Sequence, residues 1–142
     1  MQSKFFNHQG ASLHYQIGGK EAASVMVLLH GGFGSIADFE PLLPRLLQHY
    51  RVIAVDTRGH GRSTLGTTAL TYAQAADDVR QILRNESVEN YSLFGFSDGG
   101  ITAYRLGAED ENVEKIITVG AEWHQKHLNR VRSMFEALYL NI

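Results

Sequence analysis

YSLFGFSDGGITAYRL, residues 91–106, joins a short apolar run to an amphipathic pattern through a glycine-rich turn. Residues 91–94 predict a strand, and residues 98–106 predict a helix. The turn satisfies the pattern G-x-S-x-G around Ser97, and Gly95 and Gly99 leave room where larger side chains would collide. This is the pattern of a nucleophile elbow, which holds a serine hydroxyl above the edge of a sheet and beside a helix amino terminus.

The segments on either side repeat this order of strand, turn and helix. One helical stretch has Ser35 and Asp38 in capping spacing at its entry, and another has Thr71 and Gln74. Two prolines in the first stretch are expected to split it. Strands that alternate with helices indicate an α/β fold with about six strands, a mostly parallel sheet and helices on both faces. The predicted strands are an antiparallel hairpin at 4–8 and 11–17, then Val25–Leu29, 51–56, 91–94 and 115–119.

The composition excludes several classes of protein. The chain of 142 residues has no cysteine, which excludes disulfides, thiolate zinc sites and a cysteine nucleophile. A net charge of −2 gives no basic surface for nucleic acid, and the longest apolar run, Val25–Leu29, is too short to cross a membrane. The first residues do not form the long apolar stretch of a signal peptide. We therefore expect a cytoplasmic protein that acts on a small molecule, with no nucleic acid, membrane, metal or cofactor.

A second glycine-rich turn, HGGFGS at residues 30–35, follows the first wholly apolar strand. The carboxyl ends of parallel strands meet at one edge of a sheet, so this turn is expected close to Ser97. Acyl transfer needs backbone N–H groups directed at the oxygen that becomes negatively charged. The N–H of Asp98 is one candidate donor, and the N–H of Gly32 or of Phe33 is the other.

A third turn, DTRGHGRS at residues 56–63, follows the next strand. HGG at 30–32, DxRGHGxS at 56–63 and GxSxG at 95–99 together resemble the α/β-hydrolase fold family in motif and in order, over residues 4–122. The run GFSDGGITA at 95–103 is also similar to the branch of valacyclovir hydrolase and biphenyl-hydrolase-like proteins.

The resemblance implies a serine hydrolase that cleaves a small ester, amide or carbon–carbon bond through an acyl-enzyme on Ser97. It also implies that the third turn is mainly architectural. The residues that the family uses to shape these loops, rather than for bond breaking, correspond to His30, Gly31, Arg58, His60, Arg62, Gly95 and Gly99.

The resemblance leaves the catalytic acid and base incomplete. The family order is serine, acid, histidine, with the acid after the seventh strand, or in some members the sixth, and the histidine after the eighth. Here the sixth strand is expected to end near Val119, and the chain stops twenty-three residues later. Glu122 is the candidate acid. Only His124 and His127 follow the serine, and neither can be assigned as the base.

We therefore expect a truncated hydrolase, with residues 1–122 as the amino-terminal part of the core. Residues 123–142 are predicted to form an amphipathic helix that begins the cap region. The spacing His124-x-x-His127 on that helix favours a solvated basic face over a metal site. His8, His14 and His49 are expected at the surface.

Two other functions fit part of the sequence. Residues 32–37 read G-x-G-x-x-A and Asp56 ends the next strand, as in a dinucleotide-binding Rossmann-like domain, although that fingerprint gives no reason for the pattern at 95–99. In the other alternative the chain is a non-catalytic module. Its open sheet edge would then pair with another chain, as a homodimer or with a complementing fragment.

Overall fold

The computed structural model describes residues 1–121, which form one six-stranded sheet in the order β1-β2-β4-β3-β5-β6. The strands are β1 (Gln2–His8), β2 (Ala11–Gly19), β3 (Val25–Leu29), β4 (Arg51–Val55), β5 (Tyr91–Phe96) and β6 (Val113–Val119). The helices within the same residues are a short 3₁₀ helix (Ile36–Phe39), α1 (Leu43–His49), α2 (Tyr72–Asn85) and α3 (Asp98–Glu109).

The pairing confirms the predicted α/β class with its antiparallel hairpin. β3 lies parallel to β4 and β5, and β5 lies parallel to β6, whereas β1 and β2 form the hairpin and β2 runs antiparallel to β4. Gln9 and Gly10 turn the hairpin with φ angles of +45° and +76°. The second strand extends past its predicted end at residue 17, because Gly18 and Gly19 pair with Val52 and Arg51 of β4.

Helices pack on both faces of the sheet, as predicted. All five residues of β3 are buried, which fits a strand covered on each side. Val27 and Leu29 belong to a core cluster that includes buried residues of α2 and α3. Met26 and Leu28 point to the opposite cluster, which contains Ile36 and Phe39 of the 3₁₀ helix and contacts α1.

The predicted helix starts are present. Ser35 and Asp38 form a reciprocal capping box on the 3₁₀ helix, and α1 begins separately with Pro44 in its first turn, so the first helical stretch is split as expected. Thr71 caps α2 by accepting a hydrogen bond from the N–H of Gln74 at 3.1 Å. These caps fix where the helices leave the glycine-rich turns at the carboxyl edge of the sheet.

The end of the chain carries several predictions that the structure does not address. Glu122, His124, His127 and the predicted helix at 123–142 lie outside the described residues. Among residues 1–121, no helix combines the length and apolar character that crossing a membrane would require.

Candidate active site

Ser97 lies in a strained turn between β5 and α3. Its backbone has φ +49° and ψ −115°, a combination that a non-glycine residue adopts only when its surroundings impose it. Its N–H donates to the carbonyl of Val119 at 2.9 Å, and its own carbonyl accepts from Gly100 and Ile101 at 2.9 and 3.2 Å. The elbow is thereby held by the last residue of β6 and by the first turn of α3.

The two motif glycines allow backbones to approach closely. A Cβ on Gly95 would lie 2.5 Å from the carbonyl oxygen of Gly99 and 2.6 Å from the backbone nitrogen of Gly100. A Cβ on Gly99 would collide with the carbonyl group of Leu29 and would lie 2.6 Å from that of His30. The structure therefore gives the predicted steric reason for glycine at both positions.

The candidate oxyanion donors lie on adjacent turns. Asp98 is the first residue of α3, and neither its N–H nor that of Gly32 has a hydrogen-bond acceptor among residues 1–121. A Cβ on Gly32 would meet the carboxylate of Asp98, which shows how closely the two turns approach. Phe33 follows with φ +60° and an 82% exposed side chain.

Tyr72 holds the side chain of Asp98. The Tyr72 hydroxyl donates to Oδ1 of Asp98 at 2.8 Å, which links the first turn of α2 to the first turn of α3. Burial, together with this carboxylate, raises the pKa of Tyr72 above its usual value, so the phenol stays a donor. The sequence did not predict this contact, because no local pattern joins residues 26 positions apart.

A cleft of about 570 Å³ opens between these turns. Its walls come from the glycine-rich turn, the start of α2 and the start of α3. The lining includes Gly32 and Asp98 but neither Ser97 nor Phe33, and it combines apolar and polar side chains as ligand sites commonly do. The lining residues are His30, Gly31, Gly32, Thr57, His60, Leu70, Thr71, Tyr72, Ala75, Asp98, Gly99 and Thr102.

His30 is occupied by structural hydrogen bonds. Its Nδ1–H donates to the carbonyl of Gly31 at 2.7 Å, and its Nε2 accepts from the N–H of Thr57 at 3.0 Å. Burial lowers the pKa of His30, against a smaller opposing effect of the Gly31 hydrogen bond, so the ring is neutral near pH 7. No histidine among residues 1–121 is hydrogen-bonded to Ser97, so a base for this serine is not found there.

The third turn is built around buried charges. Asp56 accepts hydrogen bonds from the N–H of Ile36 at 2.9 Å, the N–H of Arg62 at 3.0 Å and Nδ1 of His14 at 2.6 Å. Burial alone would raise the pKa of Asp56, but these hydrogen bonds together lower it. Both carboxylate oxygens are therefore used inside the fold, which argues against a ribose-binding role. The expected surface position of His14 is wrong, since it is 2% exposed beside Asp56.

Arg58 has the predicted architectural role. Its side chain is fully buried and forms two hydrogen bonds with Asp78 of α2, from Nε to Oδ2 at 2.9 Å and from Nη2 to Oδ1 at 2.7 Å. It also donates to the carbonyls of His8, Gln9 and Leu65. Arg58 thus ties the third turn to the hairpin and to α2 and is not available to a ligand.

Comparison with known proteins relates this geometry to a family. The family model described as alpha/beta hydrolase fold matches residues 24–139. The chain is 36% identical to 3-oxoadipate enol-lactonase 1 of Acinetobacter baylyi over 101 residues, which are 71% of this chain and 38% of that protein.

Solved structures agree with the sequence comparison. A crystal structure of a hydrolase from Pseudomonas aeruginosa superposes with a TM-score of 0.85 at 25% identity, covering 96% of this chain and 53% of that one. A structure from work on carboxylesterases of Nitrososphaera gargenis has a TM-score of 0.84 at 28% identity, with the same two coverages of 96% and 53%. The chain therefore spans about half or less of the length of these relatives.

Proposed function

The chain belongs to the α/β-hydrolase fold family, and on that basis we propose that it carries the nucleophile half of a serine hydrolase for small esters. Ser97 is the nucleophile. The observation that carries this proposal is the strained backbone of Ser97, which is imposed by glycine contacts on both sides of the elbow. Strain of this kind is retained where surrounding structure enforces it, and it is concentrated at functional sites.

The backbone N–H groups of Asp98 and Gly32 form the oxyanion hole, with Phe33 as the alternative second donor. The proposal is supported by their position on adjacent turns and by the absence of any acceptor for Asp98 and Gly32 within residues 1–121. The amino terminus of the 12-residue helix α3 adds a positive potential at the same place. One well-directed donor of this type stabilises an acyl-transfer transition state by about 3–4 kcal/mol.

The reaction proceeds through an acyl-enzyme. Oγ of Ser97 attacks the acyl carbon while a base takes its proton, and the ester C–O bond breaks as the leaving alcohol receives that proton. Water then attacks the acyl-enzyme and releases the acid. We propose that the base and its acid come from beyond residue 121, with Glu122 retained as the candidate acid.

The substrate class follows from the relatives and the cleft. The matched proteins include an enol-lactonase and a protein from a study of carboxylesterases, so an ester or lactone is the favoured bond. A cleft of about 570 Å³ is of the size that holds a small molecule. A cytoplasmic location stays a prediction from the sequence.

The test is acylation by p-nitrophenyl butyrate, whose leaving group needs no proton. We expect release of nitrophenol and one butyryl group on the Ser97 peptide by mass spectrometry. Ser97→Ala should lose that adduct. Ser24→Ala, which changes an exposed serine before β3, should keep it. An unmodified Ser97 peptide at saturating ester contradicts the proposal.

A second candidate function, strand pairing with another segment of protein, rests on the outer edge of the sheet. Within residues 1–121, β6 pairs only with β5, and Ile116, Ile117 and Val119 are 37%, 46% and 48% exposed. Apolar residues on an unpaired edge strand form a template for another strand. We propose that this edge is covered by a segment equivalent to the remaining half of the relatives, carried on the same or a separate polypeptide.

A further inference from the structure

Ser3, His14 and Asp56 form a hydrogen-bonded series on the opposite side of the central strands from α2 and α3. Oγ of Ser3 lies 2.5 Å from Nε2 of His14, and Nδ1 of His14 lies 2.6 Å from Oδ2 of Asp56. His14 and Asp56 are each 2% exposed, whereas Ser3 is an exposed residue of β1. The serine is thus the solvent-facing end of a buried histidine–carboxylate pair.

The carboxylate of Asp56 determines which atoms donate and which accept along this series. Asp56 is held as a carboxylate by the N–H groups of Ile36 and Arg62. Since a carboxylate only accepts, Nδ1 of His14 carries the proton and donates it to Asp56. With its proton on Nδ1, the ring can accept at Nε2, which is the atom that the hydroxyl of Ser3 contacts. This is the order of roles in a serine–histidine–aspartate triad, which is recognised by geometry and not by position in the chain.

A cation lies at the serine. Nη1 of Arg62 is 3.0 Å from Oγ of Ser3 and 3.5 Å from Nε2 of His14. The ring of Phe5 holds both partners, with its centroid 5.0 Å from the guanidinium carbon of Arg62 and 5.0 Å from the centroid of His14. A guanidinium in this position stabilises negative charge on the serine oxygen or on an oxygen next to it.

A cavity of about 410 Å³ borders His14 and Arg62. Its walls are mainly apolar and come from the start of β1, the 3₁₀ helix and α1. The apolar part of this cavity is large enough for a short acyl chain. Its charged lining residues are Glu40, Asp56 and Arg62, and the cavity borders the proposed base and not Ser3 itself. The apolar lining residues are Met1, Ile36, Ala37, Leu43 and Leu47.

We propose that Ser3 is a second acyl-accepting serine, with His14 as its base, Asp56 as the orienting acid and Arg62 as the oxyanion donor, for short-chain uncharged esters. Oγ of Ser3 forms a bond to the acyl carbon, and its proton passes to Nε2 of His14. The ester C–O bond then breaks, and the leaving alcohol takes the proton from His14. Water then attacks the acyl carbon while Nε2 of His14 takes its proton. The bond to Oγ of Ser3 breaks, Oγ takes that proton, and the carboxylic acid is released.

This site shares no residue with the elbow, so it is tested in the 142-residue chain carrying Ser97→Ala. The chain is treated with a fluorophosphonate, in which Ser3 displaces fluoride from phosphorus. Fragment mass spectrometry then separates an adduct on Ser3 from one on the amino-terminal amine. We expect Ser3 to be labelled at least about 100-fold faster than the exposed Ser24, since a positioned base contributes about that factor. Labelling of Ser3 no faster than of Ser24 overturns the proposal.

Two further variants test the assigned roles in the same background. His14→Gln should slow the labelling of Ser3 about 100-fold, because it removes the base. Arg62→Gln changes an exposed side chain and should slow it about tenfold or more without unfolding the chain, which keeps the test decisive if His14→Gln does not fold. Unchanged labelling of Ser3 in either folded variant contradicts the proposal. None of these results depends on whether Ser97 reacts.

Discussion

Gly99 shows how one missing methyl group positions the candidate nucleophile. It lies in the first turn of α3, where its Cα faces the carbonyl groups of Leu29 and His30 at the end of β3. This approach presses the start of the helix against the sheet and keeps Ser97 in its strained conformation. The residue is therefore fixed by packing against backbone atoms, which cannot move aside as a side chain can.

Alanine at two glycines of the same helix should have opposite effects. Gly99→Ala is expected to lower the free energy of unfolding by about 1–3 kcal/mol or more, because the new methyl group meets backbone. Gly107→Ala collides only with the terminal methyl of Ile116, which can move aside because it is the end of a side chain, so the gain in helix propensity of up to about 1 kcal/mol should dominate. Urea denaturation of both variants measures the difference. Equal effects would contradict the packing argument.

His30 should make stability depend on pH. Its pKa in the folded chain lies below 6.5, so the unfolded chain binds the proton first as the pH falls through that value. Its contribution to stability is therefore present above about pH 6.5 and is lost below it, with a slope of at most about 1.4 kcal/mol per pH unit.

The measurement is the urea midpoint of three chains across this pH range. His30→Gln should flatten the pH dependence between about pH 6.5 and 5. His49→Gln, which changes an exposed residue of α1, should leave it as in the unsubstituted chain. The assignment is wrong if the two variants have the same slope.

The sequence correctly predicted residues whose structural role depends only on their neighbours in the chain. Gly95 and Gly99 were predicted because a tight turn around Ser97 needs them, and the steric contacts agree. His14 was predicted at the surface and is buried, because its partner Asp56 lies 42 positions away and no periodicity reports such a pair. The roles of Ser97, Gly32, Phe33 and Asp98 in catalysis stay predictions.

At the scale of secondary-structure elements, Arg58 connects the third turn to the hairpin and to α2. The guanidinium is buried, contacts Asp78 of α2 and reaches carbonyl groups at the tip of the hairpin. The sequence predicted the strands and helices from apolar periodicity and caps, but not this connection. Element ends also shifted, as at Gly18 and Gly19, because pairing with β4 outweighs the low strand propensity of glycine.

Breaking this pair should be costly. Arg58→Met is expected to destabilise the chain by about 3–5 kcal/mol, because it leaves the carboxylate of Asp78 buried without its cation. Adding Asp78→Leu should recover part of the loss, since no buried charge then remains. Arg105→Ala removes a surface pair with Glu109 and should change stability by less than about 1 kcal/mol. Urea denaturation measures the free energy of unfolding of the three variants. A double variant no more stable than Arg58→Met would refute the explanation that the cost comes from the unpaired charge of Asp78.

For the chain as a whole, the relation to its relatives matters most. It spans about half or less of their length, and β6 has no second partner strand within the described residues. The three-motif resemblance was enough to predict the fold, and the family comparison confirms it. The acid and base could not be predicted, because the family takes them from later loops whose contacts with Ser97 are not fixed by any motif in the first half.

The exposed edge should cause self-association when nothing covers it. We expect the chain to sediment above its monomer mass as its concentration rises. Ile117→Lys should reduce this association, because a charge on an edge strand opposes pairing. Leu65→Lys adds the same charge at an exposed loop residue and should not. A chain that stays monomeric at all concentrations would remove the support for an uncovered pairing edge.

The most direct test of the central claim is where a fluorophosphonate reacts with the unsubstituted chain when imidazole is added as an external base. The account predicts an adduct on Ser97 that forms faster than one on the exposed Ser24 and that increases with imidazole. We propose that Ser97 and its backbone N–H donors are already positioned, whereas residues 1–121 supply no base for this serine. A recovered but unmodified Ser97 peptide, or a Ser97 adduct that forms no faster than the one on Ser24, would contradict it.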